Sequence, residues 1–588
     1  MTKFLGLTIV VLGCLMVYPA SAQEQPLYIA FPRNNYETTS QQVFFLGTAP
    51  PTGEVLINGQ PIKRSSSGHF APTYLLKMGD NLFNVRYQNQ EIQIKVTRGS
   101  REPQIPAGDA FAKDSLTPAV DIAKLPGDLI CFGAIAPAHA TVSVKLGNQT
   151  IRLLPQSQQV QLPSNLAILT GQNQPKSQAN AGKYEGCATV SSPGELGKPQ
   201  FRLSLKGKTI TQAGTGNISI LSPLKFQVVE VTADAGVART GPSSDYSRLT
   251  PLPKGTTASV TGREGEWLRL DYGGWINSKE TQIINSASPP RAMIRSVAYR
   301  RLPLKTEMIF PLTVAVPVSV QQGNRSFTLT LYNTTAQTDI IRLDDDPVIS
   351  RLDWQQVAPG QVKYTFNLKN DQQWGYKLRY EGTSLVLSLR HPPSVSGNGG
   401  VDKPLMGMRI LLDPGHGGKE SGAPGPTGYL EKDVNLKVSQ LLRQELRLRG
   451  ATVYLTREDD REVSLPDRVG IINRLEPAIA LSVHYNSLPD DGEPAKTRGV
   501  GMFWFHPQAH GLAVFLHNYL VNKLGRPSYG VFWNNLALAR PASAPSVLLE
   551  LGFMSNPEEF EWIINPQEQQ KLAVALADGI TAWFKSVQ

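Results

Sequence analysis

The chain has 588 residues, 40% apolar and 18% charged, with a net charge of +10. That length excludes a single domain and suits four or five, and the composition excludes bulk disorder. The charge is uneven: residues 405–588 hold 18 Lys and Arg against 20 Asp and Glu, which leaves 40 against 28 for the residues before them.

The N-terminus reads as a leader. "MTK" is a basic start, "FLGLTIVVLGCLMVYP" an apolar run, and "ASA" ending at Ala22 a small-residue cleavage site. This predicts a signal peptide over 1–22 and export to a periplasm or cell envelope. A retained anchor, or a lipoprotein acylated at Cys14 of "VLGC", is the alternative. No other stretch is long and apolar enough to span a bilayer, so no stable membrane span remains after cleavage.

Residues 24–100 alternate apolar and polar in short runs, and "EVLINGQPIK" carries a hairpin signal at Asn-Gly. This predicts an Ig-like β-sandwich. A second sandwich is expected over 119–225, from "LICFGAIA", "ATVSVKLGNQTIRLL" and "QFRLSLKG", with "GQNQPKSQANAGK" as a polar loop. Cys131 and Cys187 fall inside it. An even pair in an exported chain suggests a disulfide, with two free thiols as the alternative.

Within 226–285, "ARTGPSSDYSRLTPLPKG", "EGEWLRLDY" and "GGWINS" resemble a bacterial SH3-like domain. Trp267 and Trp275 are expected to fill its small barrel or simply to pack in a core. Residues 290–393 are β-rich again, and 394–404 read as a linker.

From Leu405 the pattern alternates. Strands "MRILLD", "ATVYLTR", "AIALSVH", "GVGMFWF" and "PSVLLELG" are interleaved with helices "EKDVNLKVSQLLRQELRLRG", "LPDRVGIINRL", "AHGLAVFLHNYLVNKLG" and "PQEQQKLAVALADGITAWFKSV". Near-continuous apolar strands between helices predict an α/β domain with a mostly parallel sheet over 405–588. The whole chain is thus read as several all-β modules followed by a C-terminal α/β domain.

Ligands in such sheets gather beyond the carboxyl ends of the strands. There the sequence places His416 after "LLDPG", His484 after "ALSV" and Glu550 after "SVLL", with Glu431 opening the first helix. Two imidazoles and a carboxylate suit Zn²⁺ with an open fourth position, and a further carboxylate suits proton transfer. Spacing alone is weak evidence, because the residues come from distant segments, and favours satisfied polar groups at strand ends. Gly415, Gly417 and Gly418 are expected to let the chain turn tightly and aim His416, leaving room for substrate. Asp413 either orients a ligand histidine or makes an Asx turn.

"LLDPGHGG", "EKDVNL", "TREDDREVSLPDR", "LSVHYNS" and "LLELGFMSNPEE", in this order, resemble the zinc-dependent N-acetylmuramoyl-L-alanine amidases of the amidase-3 type over nearly all of 405–588. The resemblance implies one Zn²⁺ held by His416, Glu431 and His484, with Glu550 as catalytic acid/base. It implies cleavage of peptidoglycan between N-acetylmuramic acid and L-alanine of the stem peptide, in wall remodelling or daughter-cell separation. Under it, 290–393 becomes an amidase-associated β domain. The partner is then peptidoglycan, with no nucleic acid; the basic charge of the front half separately suits anionic envelope polymers on the β modules, or is plain solvated surface charge. An inactive wall-binding or activator protein, or a zinc peptidase cutting within the stem peptide, is the alternative. Arg540 and Asn486, beside these motifs, either touch substrate or pack at the surface. "GVGMFWFHPQAHGLAVFL" passes from strand to helix with little inserted chain, so the helical plug of division-linked members is not expected here.

Overall fold

In the computed structural model, residues 26–100, 106, 108–156, 159–162, 174–178, 182–286, 288–393 and 403–587 are described. The expected leader with Cys14, residues 171–173 and 179–181 of the polar loop and most of the linker 394–404 lie outside them. Among the described residues no helix is long and apolar enough to cross a membrane.

The front of the chain is built of β-sheets. At 55–61 the expected hairpin forms: Val55–Ile57 pairs antiparallel with Gln60–Pro61. Asn58 and Gly59 both take positive φ, 51° and 78°, as a two-residue turn between right-twisted strands requires. Further on, Leu129–Ile135 pairs with Lys183–Thr189, which sets Cys131 opposite Cys187, and the two are joined in a disulfide.

The seam near residue 225 is not a gap. Ile122 and Ala123 pair with Glu264 and Arg263, so one sheet runs through both flanking modules. An edge strand there finds hydrogen-bond partners in its neighbour instead of solvent. In the 226–285 module the core is aliphatic, from Val229 and Val231 to Leu268, Leu270 and Ile276. The expected barrel-filling tryptophans lie elsewhere, because side chains alternate along a strand. Trp267 has the parity of Arg269, opposite to Leu268 and Leu270, and Trp275 is opposite in parity to Ile276. Trp275 is instead covered from the neighbouring module, with the Lys124 ammonium 5.7 Å from its ring centre.

Residues 292–390 form a five-stranded and a four-stranded sheet around a shared core. This domain is tied to the C-terminal domain at Trp374, which stacks on Phe584 (6.1 Å between ring centres) inside the latter's core. Tyr376 N–H donates to the Ala542 carbonyl, and Arg390 donates to the carbonyls of Pro477 and Ser543.

The C-terminal domain runs β1 (Arg409–Pro414), α1 (Glu431–Leu448), β2 (Thr452–Leu455), α2 (Leu465–Leu475), β3 (Ile479–Asn486), β4 (Val500–Trp504), α3 (Pro507–Leu524), β5 (Ser528–Trp533), β6 (Ser546–Phe553), α4 (Pro557–Ile563) and α5 (Pro566–Val587). Strand β5 and helix α4 are additions to the expected elements. The sheet order is β2-β1-β3-β6-β4-β5. All neighbours are parallel except β4 and β6. Both faces of the sheet are covered, as parallel strands require. Ile410 and Leu412 of β1 face α1, α3 and α5 through Val438, Leu516 and Leu576. Leu411, between them, faces Ile472 of α2 and Leu538.

Candidate metal centre

Three of the four expected site residues converge at the carboxyl ends of β1 and β3. Ligand atoms of His416, Glu431 and His484 all lie within 4.8 Å of one another. Glu431 sits between the rings: its Oε2 is 3.2 Å from His416 Nε2 and its Oε1 is 2.9 Å from His484 Nδ1. The rings stand nearly perpendicular, 4.9 Å between centres. Donors on one tetrahedral zinc with bonds of 2.0–2.1 Å lie about 3.3 Å apart, so these separations fit a shared ion.

Glu431 is almost fully buried at the start of α1. Burial opposes its charge, but the facing imidazoles outweigh burial and hold its carboxyl below the usual range. The same pairing raises the His416 imidazole against the effect of burial. The carboxylate also accepts from Ala423 N–H, Tyr485 N–H and Asn435 Nδ2. These donors fix both oxygens in place, the support that a ligating carboxylate needs.

The fourth residue, Glu550, lies across from His484 in the parallel β3–β6 ladder. Its Oε2 is closed off from solvent and has no hydrogen-bond partner among the described residues. Burial, reinforced by the nearby Glu431 charge, pushes the carboxyl well above the usual range.

The loop "PGHGG" works differently from the expectation. A Cβ on Gly415 would sit 2.2 Å from the His484 ring, and one on Gly417 would sit 2.3 Å from the Arg461 carbonyl. The space vacated by the glycines is taken by the protein itself, with the His484 ring packed on Gly415. His416 has φ of 59°, in the left-handed region that non-glycine residues avoid. It is held there by the Arg468 guanidinium, which donates to the His416 carbonyl at 2.6 Å.

Arg468 and Arg457 buttress the turn that carries His416, a part that residue-by-residue reasoning passed over although both lie in the quoted motif "TREDDREVSLPDR". Arg468 is buried and also pairs with Asp413 at 2.6 Å. Asp413 accepts in addition from Thr456 and Ser482, so it anchors the strand end, and among the described residues it bonds neither His416 nor His484. Arg457, fully buried, donates to the carbonyls of Pro414, Gly415 and Lys432. Arg540 precedes β6, at the end of the sheet away from Glu550, and donates to the Asn535 carbonyl. His506 precedes Pro507 at the start of α3 and meets the Arg540 carbonyl, while His510 packs on Trp504.

With this geometry, the comparisons with known proteins are direct. Residues 410–582 match the family model of N-acetylmuramoyl-L-alanine amidase. The C-terminal domain belongs to that family. The chain is 36% identical over 194 residues to the probable cell wall amidase LytH of Staphylococcus aureus, an alignment covering 33% of this chain and 64% of that protein. The chain therefore spans about two thirds of the length of the curated relatives that it matches. Among solved structures it resembles the amidase AmiC2 of Nostoc punctiforme (32% identity, 30% of this chain, 97% of that one, TM-score 0.29). It also resembles the catalytic domain of CwlV from Bacillus (Paenibacillus) polymyxa (30% identity, 31% and 99%, TM-score 0.29).

Proposed function

We propose that this protein is a zinc-dependent amidase of peptidoglycan, acting in the cell envelope on the amide between N-acetylmuramic acid and L-alanine. The observation that supports it most is the grouping of His416, Glu431 and His484 within 4.8 Å, with Glu550 opposite His484 on the next strand. His416, Glu431 and His484 would hold the metal. Zinc bound there supplies a Lewis acid for the amide carbonyl and lowers the pKa of water. Glu550 accepts a proton from the attacking water as the new C–O bond forms. It then delivers that proton to the L-alanine nitrogen as the C–N bond breaks. Enclosure of its Oε2, with no partner, keeps this carboxyl free to exchange a proton.

The β modules are read as envelope-binding surfaces. Arg152, Ser143 and Arg202 lie in one row across three neighbouring strands, with Lys145 exposed two residues along. Stretches 141–155 and 200–213 contain no Asp or Glu. Such a face suits an anionic polymer.

The deciding experiment digests purified peptidoglycan with the wild type and with Glu550→Ala, and reads the products by mass spectrometry. Intact stem peptides with a free L-alanine amine from the wild type, and none from a zinc-loaded Glu550→Ala, are expected. Fragments cut inside the stem peptide would instead establish a peptidase, and no products at all a binding protein.

A further inference from the structure

The N-terminal β domain is docked on the rim that carries the metal centre. Its main contacts fall just after the ends of the strands that bear His484 and Glu550. Six residues beyond His484, Asp490 accepts hydrogen bonds from Tyr36 Oη (2.9 Å) and Thr38 Oγ1 (2.6 Å), and Gln42 Nε2 donates to the Asp491 carbonyl at 2.5 Å. Three residues beyond Glu550, Phe553 is fully buried in a cluster with Leu488 and with Phe44, Leu46 and Ala71 of the N-terminal domain. Farther along, Ser66 Oγ and Ser67 N–H donate to Glu561, and His69 packs edge-on against Phe560. On the other flank, Tyr28 lies against Gly428, three residues before Glu431.

The site is not sealed by this contact. The His416 side chain remains 29% exposed. The interface has an apolar centre of five residues, each no more than 7% exposed, with a polar rim. Separation would expose Phe553 and Leu488 to water, so the surface has the character of a permanent joint and not of a shutter.

We propose that the N-terminal domain is a fixed part of the catalytic unit. Through Asp490 and the Phe44–Leu488–Phe553 cluster it holds the strand ends bearing His484 and Glu550 at catalytic spacing. Tyr36, Thr38 and Asp490 are thus positioning residues, acting through the 486–492 loop. The Tyr36 hydroxyl suits this role, since burial and the Asp490 carboxylate push its pKa up to about 12 and keep its proton available to donate.

The proposal rests on the amidase reading for its kinetic readout and carries a second readout that does not. Full-length Asp490→Ala, Asp490→Asn and Thr38→Val are compared with the wild type, kcat and KM being measured separately on soluble peptidoglycan fragments. The visible spectrum of each Co²⁺-loaded protein reports the metal geometry. Asp490→Ala should lose roughly ten- to a hundredfold in kcat, the scale of a small displacement of catalytic groups, with KM within about twofold and a shifted Co²⁺ band. Asp490→Asn, which keeps an acceptor oxygen, should recover most of both. Thr38→Val, which removes one hydroxyl and little volume, should fall between and guards against misfolding of the Asp490 variants. A wild-type kcat and spectrum in Asp490→Ala, or a raised turnover, overturns the proposal. If the wild type releases no stem peptide, the amidase reading falls, while the Co²⁺ spectra still decide the joint.

Discussion

His484 and Glu550 stand at the same register on adjacent parallel strands, β3 and β6, so the ladder itself sets their backbones side by side. One carries an imidazole nitrogen 2.9 Å from the Glu431 carboxylate, and the other an enclosed carboxyl oxygen with no partner. Because the strands fix the backbones, side-chain length decides where the Glu550 carboxyl reaches. Glu550→Asp withdraws it by one methylene without removing the acid. We expect kcat on peptidoglycan fragments to fall by about a hundredfold, with one zinc per chain still found by atomic absorption.

Glu431 differs from Glu550 in being bound on every side. Its carboxylate faces both imidazoles and receives three further hydrogen bonds. Glu431→Gln keeps the shape and removes the charge that balances a dication. Zinc content after dialysis should fall from about one per chain to near zero. The wild type should also lose thermal stability on chelation, by about 2.7 kcal/mol relative to metal at a hundred times its Kd. Calorimetry with and without chelator should show that difference in the wild type and none in the variant.

The ion pair of Asp413 and Arg468 sits beneath the site, each side chain no more than 3% exposed. Arg468 also holds the carbonyls of Pro414 and His416. Arg468→Met leaves a buried carboxylate with only the Thr456 and Ser482 hydroxyls, and leaves His416 in an unsupported left-handed conformation. Removing one partner of a buried pair costs roughly 3–5 kcal/mol. Urea unfolding followed through the tryptophans of the C-terminal domain should show a loss of that order, together with weaker zinc binding.

How far the sequence reached follows from where its signals were local. Strand ends are local, so His416, His484 and Glu550 were placed by an apolar run meeting a polar residue, and Glu431 by its position at a helix start. Strand β5, "SYGVFW", has a glycine in its middle and only half-buried side chains, which hides its period. The roles of Arg457 and Arg468 were invisible for another reason. A buried arginine is recognised by the carbonyls that it meets, and among those are the carbonyls of the turn at 414–416, over 40 residues away. The contact of Tyr36 with Asp490 spans 454 residues between two domains. No periodicity on either strand announces it.

Glu307 gives a pH-dependent prediction away from the catalytic domain. It is 1% exposed, under Arg300 and Arg379. Burial alone pushes its carboxyl up, but the hydrogen bonds and charges of Arg379 and Arg300 outweigh burial and hold it at about 2. A depressed carboxyl stabilises the folded state above its unfolded pKa, and that contribution is lost as pH falls through the folded value. Glu307→Gln should therefore weaken the 292–390 domain by about 2 kcal/mol at neutral pH. Hydrogen exchange in strands Lys305–Phe310 and Ser384–Arg390 should show the gap between the two proteins narrowing from pH 4.5 to about 2.

The basic sheet face makes a prediction that leaves catalysis untouched. Arg152 and Arg202 project from strands on either side of Ser143. Neighbouring strands are about 4.8 Å apart, so their stems stand roughly 10 Å apart, with Lys145 one pleat farther along. An anionic chain crossing the strands meets these cations in succession, with no acid on the two hairpins to repel it. Replacing all three by glutamine removes charge from exposed positions without disturbing the core. Co-sedimentation with inorganic polyphosphate should weaken at least about fivefold and become less salt-dependent, while turnover of soluble fragments stays at the wild-type rate. Equal binding by the triple variant would assign the positive charge of this module to solvation alone.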